Sequence, residues 1–139
     1  MNAIDTNILI YAVDTEEPEK SAKAIELLRR LSTEPVPLIV PWQVAVEFLA
    51  CLRRWENAKR ISRSQSQRYL AEFLMPMPIV HPSTKVLQAS LELSSRHSLS
   101  HWDSLLLAAC IEAGVQSLYS EDMSHGGTYD SVQIVNPFC

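Results

Sequence analysis

Short apolar segments alternate with helical patterns along the chain, and this alternation constrains the fold more than any other feature. Apolar runs of strand length occur at 2–5, 37–40, 78–81, 115–119 and 132–135. Helical patterns lie between them, following the first run, from Pro18, from Pro41, and over 64–75, 83–96 and 100–113. Such alternation predicts a parallel sheet covered by helices on both faces. We therefore expect an α/β fold with a central, mainly parallel sheet of about five strands, formed by one domain spanning 1–139.

Charge is segregated along the sequence, although the net charge is only −4. The window 53–68 holds six Lys and Arg residues against one Glu, whereas 97–139 holds five acidic residues and no Lys or Arg. The basic window could hold phosphates and the acidic region could hold metal ions. Both could also be ordinary solvated faces.

Cysteine content and hydropathy indicate the cellular setting. Cys51, Cys110 and Cys139 are too widely spaced for a metal knuckle or a redox pair, so we expect reduced thiols, two of them in the core. The longest apolar run, 105–111, is far shorter than the roughly 20 residues of a membrane-spanning helix. The N-terminus also lacks the pattern of a secretory signal. These features predict a cytoplasmic protein with no membrane segment.

Acidic side chains follow two of the predicted strands. Asp5 ends the first strand, and Ser120, Glu121 and Asp122 follow the run that ends at Tyr119. In open α/β sheets, ligands bind beyond the carboxyl ends of the strands, so these acids should meet at one edge. Asp5 could instead serve only as a helix cap, and Glu121 and Asp122 could be polar loop residues.

Two further carboxylates lie on predicted helices. Glu47 has apolar helical neighbours in Val44 and Ala50. A carboxylate buried there would be costly unless it were paired, protonated or bound to a cation, although it could also pair with an arginine or reach solvent. Asp103 follows Ser100 in an S-x-x-D capping pattern, which by itself requires no function.

Taken together, these carboxylates predict a metal site. Several carboxylates in one place raise one another's pKa unless a cation compensates them. Because the set contains no Cys or His, it favours Mg²⁺ or Mn²⁺ over zinc. Such ions commonly serve phosphoryl transfer.

Four segments carry a resemblance to a known family. They are MNAIDTNILIY at 1–11, VAVEF at 44–48, LSHWDSLLLAA at 99–109 and LYSEDM at 118–123. They resemble the four acidic blocks of the PIN-domain family, in the family's order and spacing, and more narrowly those of VapC-type toxins of toxin–antitoxin systems. The resemblance implies a three-layer α/β/α sandwich and a Mg²⁺- or Mn²⁺-dependent endoribonuclease. It also implies an RNA substrate, a frequent homodimer and a cognate antitoxin as inhibitor.

The resemblance also suggests roles for individual residues. The catalytic and metal-binding positions are Asp5, Glu47, Asp103 and Asp122, with Glu121 as the alternative fourth ligand. Residues that would orient these ligands or water are Thr6, Asn7, Ser120 and Glu121. The basic window offers contacts to the RNA backbone at Arg53, Arg54, Arg60 and Arg63. In the implied reaction, water activated by metal attacks in line and leaves a 5′-phosphate and a 3′-hydroxyl.

Two other functions are compatible with parts of this pattern. An aspartyl-phosphate phosphatase needs a second Asp two residues after the first, but position 7 is Asn7, and no lysine follows Arg96. A non-catalytic module of the same fold that binds RNA or protein is the stronger alternative, and the presence of all four acids argues against it.

Structural roles are expected for two histidines and for the three tryptophans. His101 and His125 are interpreted as structural. The three tryptophans could stack on bases, but their helical settings favour packing in the core or in a dimer. They are Trp42, Trp55 and Trp102.

Overall fold

The computed structural model describes all 139 residues, which form six strands and six α-helices. The strands are β1 (Asn2–Ile4), β2 (Leu38–Pro41), β3 (Ile79–Val80), β4 (Ser117–Tyr119), β5 (Thr128–Tyr129) and β6 (Val132–Val135). The helices are α1 (Thr6–Val13), α2 (Pro18–Thr33), α3 (Trp42–Asn57), α4 (Arg63–Tyr69), α5 (Lys85–His97) and α6 (His101–Ala113). None of these helices combines the length and hydropathy needed to cross a bilayer.

The strands form one sheet in the order β3-β2-β1-β4-β6-β5. All neighbouring strands are parallel except β5 and β6. This arrangement confirms the predicted α/β class with a mainly parallel sheet, but the sheet has six strands rather than about five. The additional strand, β5, is only two residues long and follows Gly126 and Gly127, so no apolar run marks it in the sequence.

Helix ends agree closely with the capping signals. Ser100 caps α6, since its Oγ accepts a hydrogen bond from the backbone N–H of Asp103 at 3.2 Å. Gly114 ends the same helix with φ +81°, a conformation that favours glycine. The helix expected over 64–75 is instead α4 followed by a π-helical turn, Leu70–Leu74, in which the amide of Met75 bonds to the carbonyl of Leu70 at 3.0 Å.

The core lies on both faces of the central strands. Every residue of β1 is buried, and the most deeply buried large side chains include Ile4, Leu9, Phe48, Leu107 and Leu118. Burial on both faces explains why the strands are continuous apolar runs rather than alternating ones. As expected from the sequence, two of the three free cysteines are buried, and Cys139 is exposed.

Candidate active site

The direction of chain progression across the sheet reverses between β1 and β4. From β1 the chain proceeds to β2 and β3 on one side, whereas β4 and β6 lie on the other side. The two strands are parallel, and the amide of Asp5 donates to the carbonyl of Tyr119 at 2.9 Å. Asp5 and Ser120 therefore leave the sheet side by side at the edge where ligands bind in open α/β sheets.

Asp5 is buried and held from two sides. Its Oδ1 accepts a hydrogen bond from the backbone N–H of Thr6 at 2.7 Å, which makes it the N-cap of α1. Its Oδ2 accepts from the hydroxyl of Ser120, also at 2.7 Å. Only 6% of Asp5 is exposed to solvent. The carboxylate thus has a fixed orientation, but its two hydrogen-bond donors are neutral.

The surroundings of Asp5 disfavour its charge. The pKa of Asp5 is raised from 3.8 to about 6, chiefly by burial; the bonds from Ser120 and Thr6 lower it, and the nearby carboxylates of Asp122 and Glu47 raise it by smaller amounts. The Thr6 hydroxyl, which lines the same cleft, is buried without a hydrogen-bond partner. Unneutralised negative charge beside an unsatisfied oxygen fits a site for a hard cation.

A network of hydrogen bonds holds Asp122 beside Asp5. The Asn7 side-chain amide donates to Oδ2 of Asp122 at 3.1 Å, and the Ser120 hydroxyl accepts from the Asp122 amide at 3.2 Å. The amide of Glu121 donates to Oδ1 of Asn7 at 3.4 Å. Asn7 and Ser120 therefore fix the segment after β4 against the start of α1.

Glu121 faces a different environment from its neighbour. Its two carboxylate oxygens accept hydrogen bonds from the Tyr11 hydroxyl at 2.6 Å and from Nζ of Lys20 at 2.5 Å. Partial burial opposes the ionisation of Glu121, but the bonds from Lys20 and Tyr11 outweigh it and hold its pKa below the usual value. Glu121 is absent from the cleft wall, which includes Asp122.

The four acidic residues expected at the metal site line one cleft of about 250 Å³. The cleft wall consists of Asp5, Thr6, Asn7, Ile10, Gln43, Glu47, Ala50, Arg54, Trp102, Asp103, Leu106 and Asp122. In their present orientations, no three His, Cys, Asp or Glu side chains form a group able to hold a metal ion. The fold thus brings the acids to one cleft without converging them on a single point.

Glu47 reaches this cleft from an exposed face of α3. Of the settings that the sequence left open, the structure shows the one in which the side chain is exposed rather than buried. Helix α3 turns Val44, Phe48 and Leu52 to the core and leaves Glu47 and Ala50 exposed. The apolar residues occupy both faces of this helix, so the sequence pattern alone could not identify the buried one.

The four arginines of the basic window lie in different settings. Arg60 pairs with Asp14 and with Glu16, and its guanidinium lies 4.1 Å from the centre of the Trp55 ring. Arg63 pairs with Glu56. Arg53 and Arg63 border a separate groove. Arg54 is the cation on the wall of the acidic cleft.

Two cleft residues, Gln43 and Trp102, were not expected at the site. The side-chain amide of Gln43 donates to the carbonyl of Trp102 at 3.0 Å, which joins the first turns of α3 and α6. Trp102 is 63% exposed, so it does not pack in the core, and packing in a dimer stays a prediction. Its position immediately before Asp103 is the only sequence signal that placed it here.

Comparisons with known proteins agree with this description. Residues 3–125 match the family model of the PIN domain. None of the curated proteins matches the chain. Among solved structures, a toxin–antitoxin complex from Klebsiella pneumoniae is 19% identical with a TM-score of 0.69, covering 99% of this chain and 98% of that one.

Two further solved structures are similar to the chain. VapC20 of Mycobacterium tuberculosis, a toxin that cleaves the sarcin–ricin loop, is 16% identical with a TM-score of 0.63, covering 88% of this chain and 90% of that one. VapBC2 of Rickettsia felis, bound to a DNA fragment from its promoter, is 18% identical with a TM-score of 0.66, covering 96% of each chain. At these identities the likeness is one of fold.

Proposed function

The chain belongs to the PIN-domain family, and we propose that it is a metal-dependent endoribonuclease that hydrolyses RNA in the acidic cleft. The observation that carries this proposal is the convergence of four acids, from four separate elements, on one cleft. One of them, Asp5, is buried without a cationic partner. Nothing in the architecture of the sheet requires such an accumulation of like charge.

The residues that would hold the ion are Asp5, Glu47, Asp103 and Asp122. Their oxygen donors suit Mg²⁺ or Mn²⁺. A bound divalent ion in such a site supplies charge neutralisation at the phosphate and lowers the pKa of a coordinated water. In this proposal Asp122 is the fourth acidic ligand, because both oxygens of Glu121 are engaged by Lys20 and Tyr11.

The other residues of the site position the ligands and the substrate. Ser120 and the Thr6 amide fix the carboxylate of Asp5, and Asn7 orients that of Asp122. The Arg54 guanidinium, on the wall of the cleft, would contact a phosphate of the RNA backbone. In this proposal the acids bind the metal cation and Arg54 binds the anionic phosphate. The cleft therefore offers a partner both for the metal ion and for the phosphodiester.

We further propose that the protein is the toxin of a type II toxin–antitoxin pair and acts in the cytoplasm. This proposal is supported by the likeness of the fold to VapC20 and to two toxin–antitoxin complexes. A cognate antitoxin would then inhibit the enzyme by covering the cleft. Homodimer formation fits the exposed apolar side chains of Val46 and Leu49 on α3.

The experiment that tests the enzyme activity is cleavage of total RNA by the purified protein with Mg²⁺ or Mn²⁺. We expect discrete fragments with 5′-phosphate and 3′-hydroxyl ends that disappear with a chelator and in a folded Asp5→Asn variant. Fragments that persist in both controls would contradict the proposal. No cleavage and no metal binding, in a sample free of antitoxin, would favour a non-catalytic module that binds RNA or protein.

A further inference from the structure

Trp102 exposes an aromatic side chain at the proposed active site. The residue is 63% exposed and lines the cleft that contains the four acids. It directly precedes Asp103 in the first turn of α6. Most of the indole surface is therefore free to contact a ligand that enters the cleft.

The backbone at Trp102 is held in place. Its carbonyl accepts the hydrogen bond from the Gln43 side chain at 3.0 Å. The helix that contains it, α6, is capped at its N-terminus by Ser100. The side chain therefore projects from a fixed helix terminus rather than from a mobile loop. A rigid aromatic group loses little conformational entropy when a ligand packs against it.

The other two tryptophans differ from Trp102 because each has a group stacked on the face of its ring. The Trp42 ring is stacked on His81, with centroids 4.5 Å apart and planes 27° apart, and the Trp55 ring lies under the Arg60 guanidinium. The aromatic ring nearest to Trp102 is His101, whose plane is inclined by 72°, so no ring is stacked on Trp102.

We propose that the Trp102 indole stacks on an unpaired nucleobase next to the phosphate that is cleaved, so that the cleft selects single-stranded segments of RNA. This inference rests on the proposed function. Bases stack on aromatic side chains whatever their sequence, and the effect of removing one such contact is on the order of tenfold in affinity. Bases within an RNA duplex are already stacked on their neighbours and are not available. Trp102 is thus a residue for positioning and selecting substrate beside the acids.

The test compares a mixed-sequence RNA of five nucleotides with a ribose-phosphate oligomer of the same length that lacks bases. Binding is measured by fluorescence anisotropy in Ca²⁺, and gel analysis verifies that the RNA stays intact. We expect Trp102→Ala to weaken RNA binding about tenfold and to leave binding of the abasic oligomer unchanged. Trp102→Phe should retain most of the affinity. Trp42→Ala, at the exposed tryptophan that begins α3, should match the wild type.

The stacking proposal is overturned if Trp102→Ala binds the intact RNA as tightly as the wild type does. It is also overturned if the variant loses affinity equally for both oligomers. A shift of Trp102→Ala to a smaller species in sedimentation, with the preference for bases retained, would assign the ring to a protein interface instead. Cleavage of total RNA is scored separately: base-dependent binding through Trp102 without cleavage refutes the nuclease, whereas cleavage without such binding refutes only the stacking.

Discussion

Asp5 and Glu121 lie near the same edge of the sheet, yet their surroundings shift their pKa values in opposite directions. Asp5 has only neutral hydrogen-bond donors, and burial raises its pKa to about 6. Glu121 accepts hydrogen bonds from the Lys20 ammonium group and the Tyr11 hydroxyl, and its pKa is lowered. The environment of an acid therefore distinguishes its role better than its position does, since Glu121 is already neutralised by Lys20 while Asp5 has no cationic partner in the protein.

The contrast has an energetic consequence for the fold. A pKa of about 6 instead of 3.8 means that ionising Asp5 destabilises the metal-free protein by about 3 kcal/mol. Glu121 acts in the opposite direction, because its ionised form is bound better in the folded protein than in the unfolded chain. The fold therefore retains a destabilising charge at its candidate site and neutralises the one beside it.

Replacement of Asp5 by Asn should have the largest effect on activity. The variant keeps nearly the same shape but removes the buried charge, so we expect RNA cleavage to fall by at least about a hundredfold. The same change should raise the unfolding temperature of the metal-free protein at pH 7 by several degrees, because the uncompensated charge is gone. Cleavage assays and thermal unfolding with chelator measure the two effects. A variant that is both active and unchanged in stability would remove the distinction between Asp5 and Glu121.

The pH dependence of stability should show the unusual sign at Asp5. The folded protein holds this proton more tightly than the unfolded chain does, so Asp5 destabilises the metal-free protein increasingly as the pH rises from about 3 to about 7. Above about pH 7 its contribution is constant. Urea unfolding of the wild type and of Asp5→Asn isolates the contribution of Asp5 to the free energy of unfolding. The difference in favour of the variant should grow by about 3 kcal/mol across that pH range. A constant difference would show that the pKa of Asp5 is ordinary.

The arginines extend the same comparison to cations. Arg54 lies on the cleft wall, whereas Arg60 is paired with Asp14 and Glu16. Arg54→Ala should weaken RNA binding several-fold and reduce the slope of log affinity against log salt by about one. Arg60→Ala should lower the unfolding temperature while leaving that slope nearly unchanged. Equal salt slopes for the two variants would refute the separate role of Arg54.

The smallest effect is expected at Glu121. Glu121→Gln keeps a hydrogen-bond acceptor for Tyr11 but loses the ion pair with Lys20, so stability at pH 7 should fall by only about 1 kcal/mol. RNA cleavage should change no more than a few-fold, because the side chain is not on the cleft wall. Because its pKa is lowered in the fold, Glu121 contributes stability above its normal pKa of 4.5 that disappears at lower pH. Loss of cleavage as severe as in Asp5→Asn would make Glu121 a ligand instead.

The sequence predicted those features that depend on local patterns. The strand and helix alternation gave the fold class, and the capping pattern at Ser100 gave the start of α6. The carboxyl ends of two parallel strands brought Asp5 and Asp122 to one edge, as expected. These inferences succeeded because they rest on periodicity and on the geometry of parallel sheets.

Features that depend on distant partners could not be read from the sequence. Glu121 and Asp122 are adjacent, and the approach of Tyr11 from α1 and of Lys20 from α2 gives Glu121 a different environment. Arg60 is engaged by Asp14, which lies 46 positions earlier in the chain. The exposure of Glu47 depended on which of two apolar faces α3 turns to the core.

The proposed metal site is tested most directly by calorimetric titration of Mn²⁺ at pH 7. The titration uses three proteins: the wild type, Asp5→Asn and Glu121→Gln. If uncompensated carboxylates form the metal site, the wild type and Glu121→Gln bind Mn²⁺ with similar affinity and Asp5→Asn does not bind it measurably. Two results would show that the uncompensated carboxylates do not form the metal site. One is binding to Asp5→Asn as tight as to the wild type, and the other is loss of binding in Glu121→Gln alone.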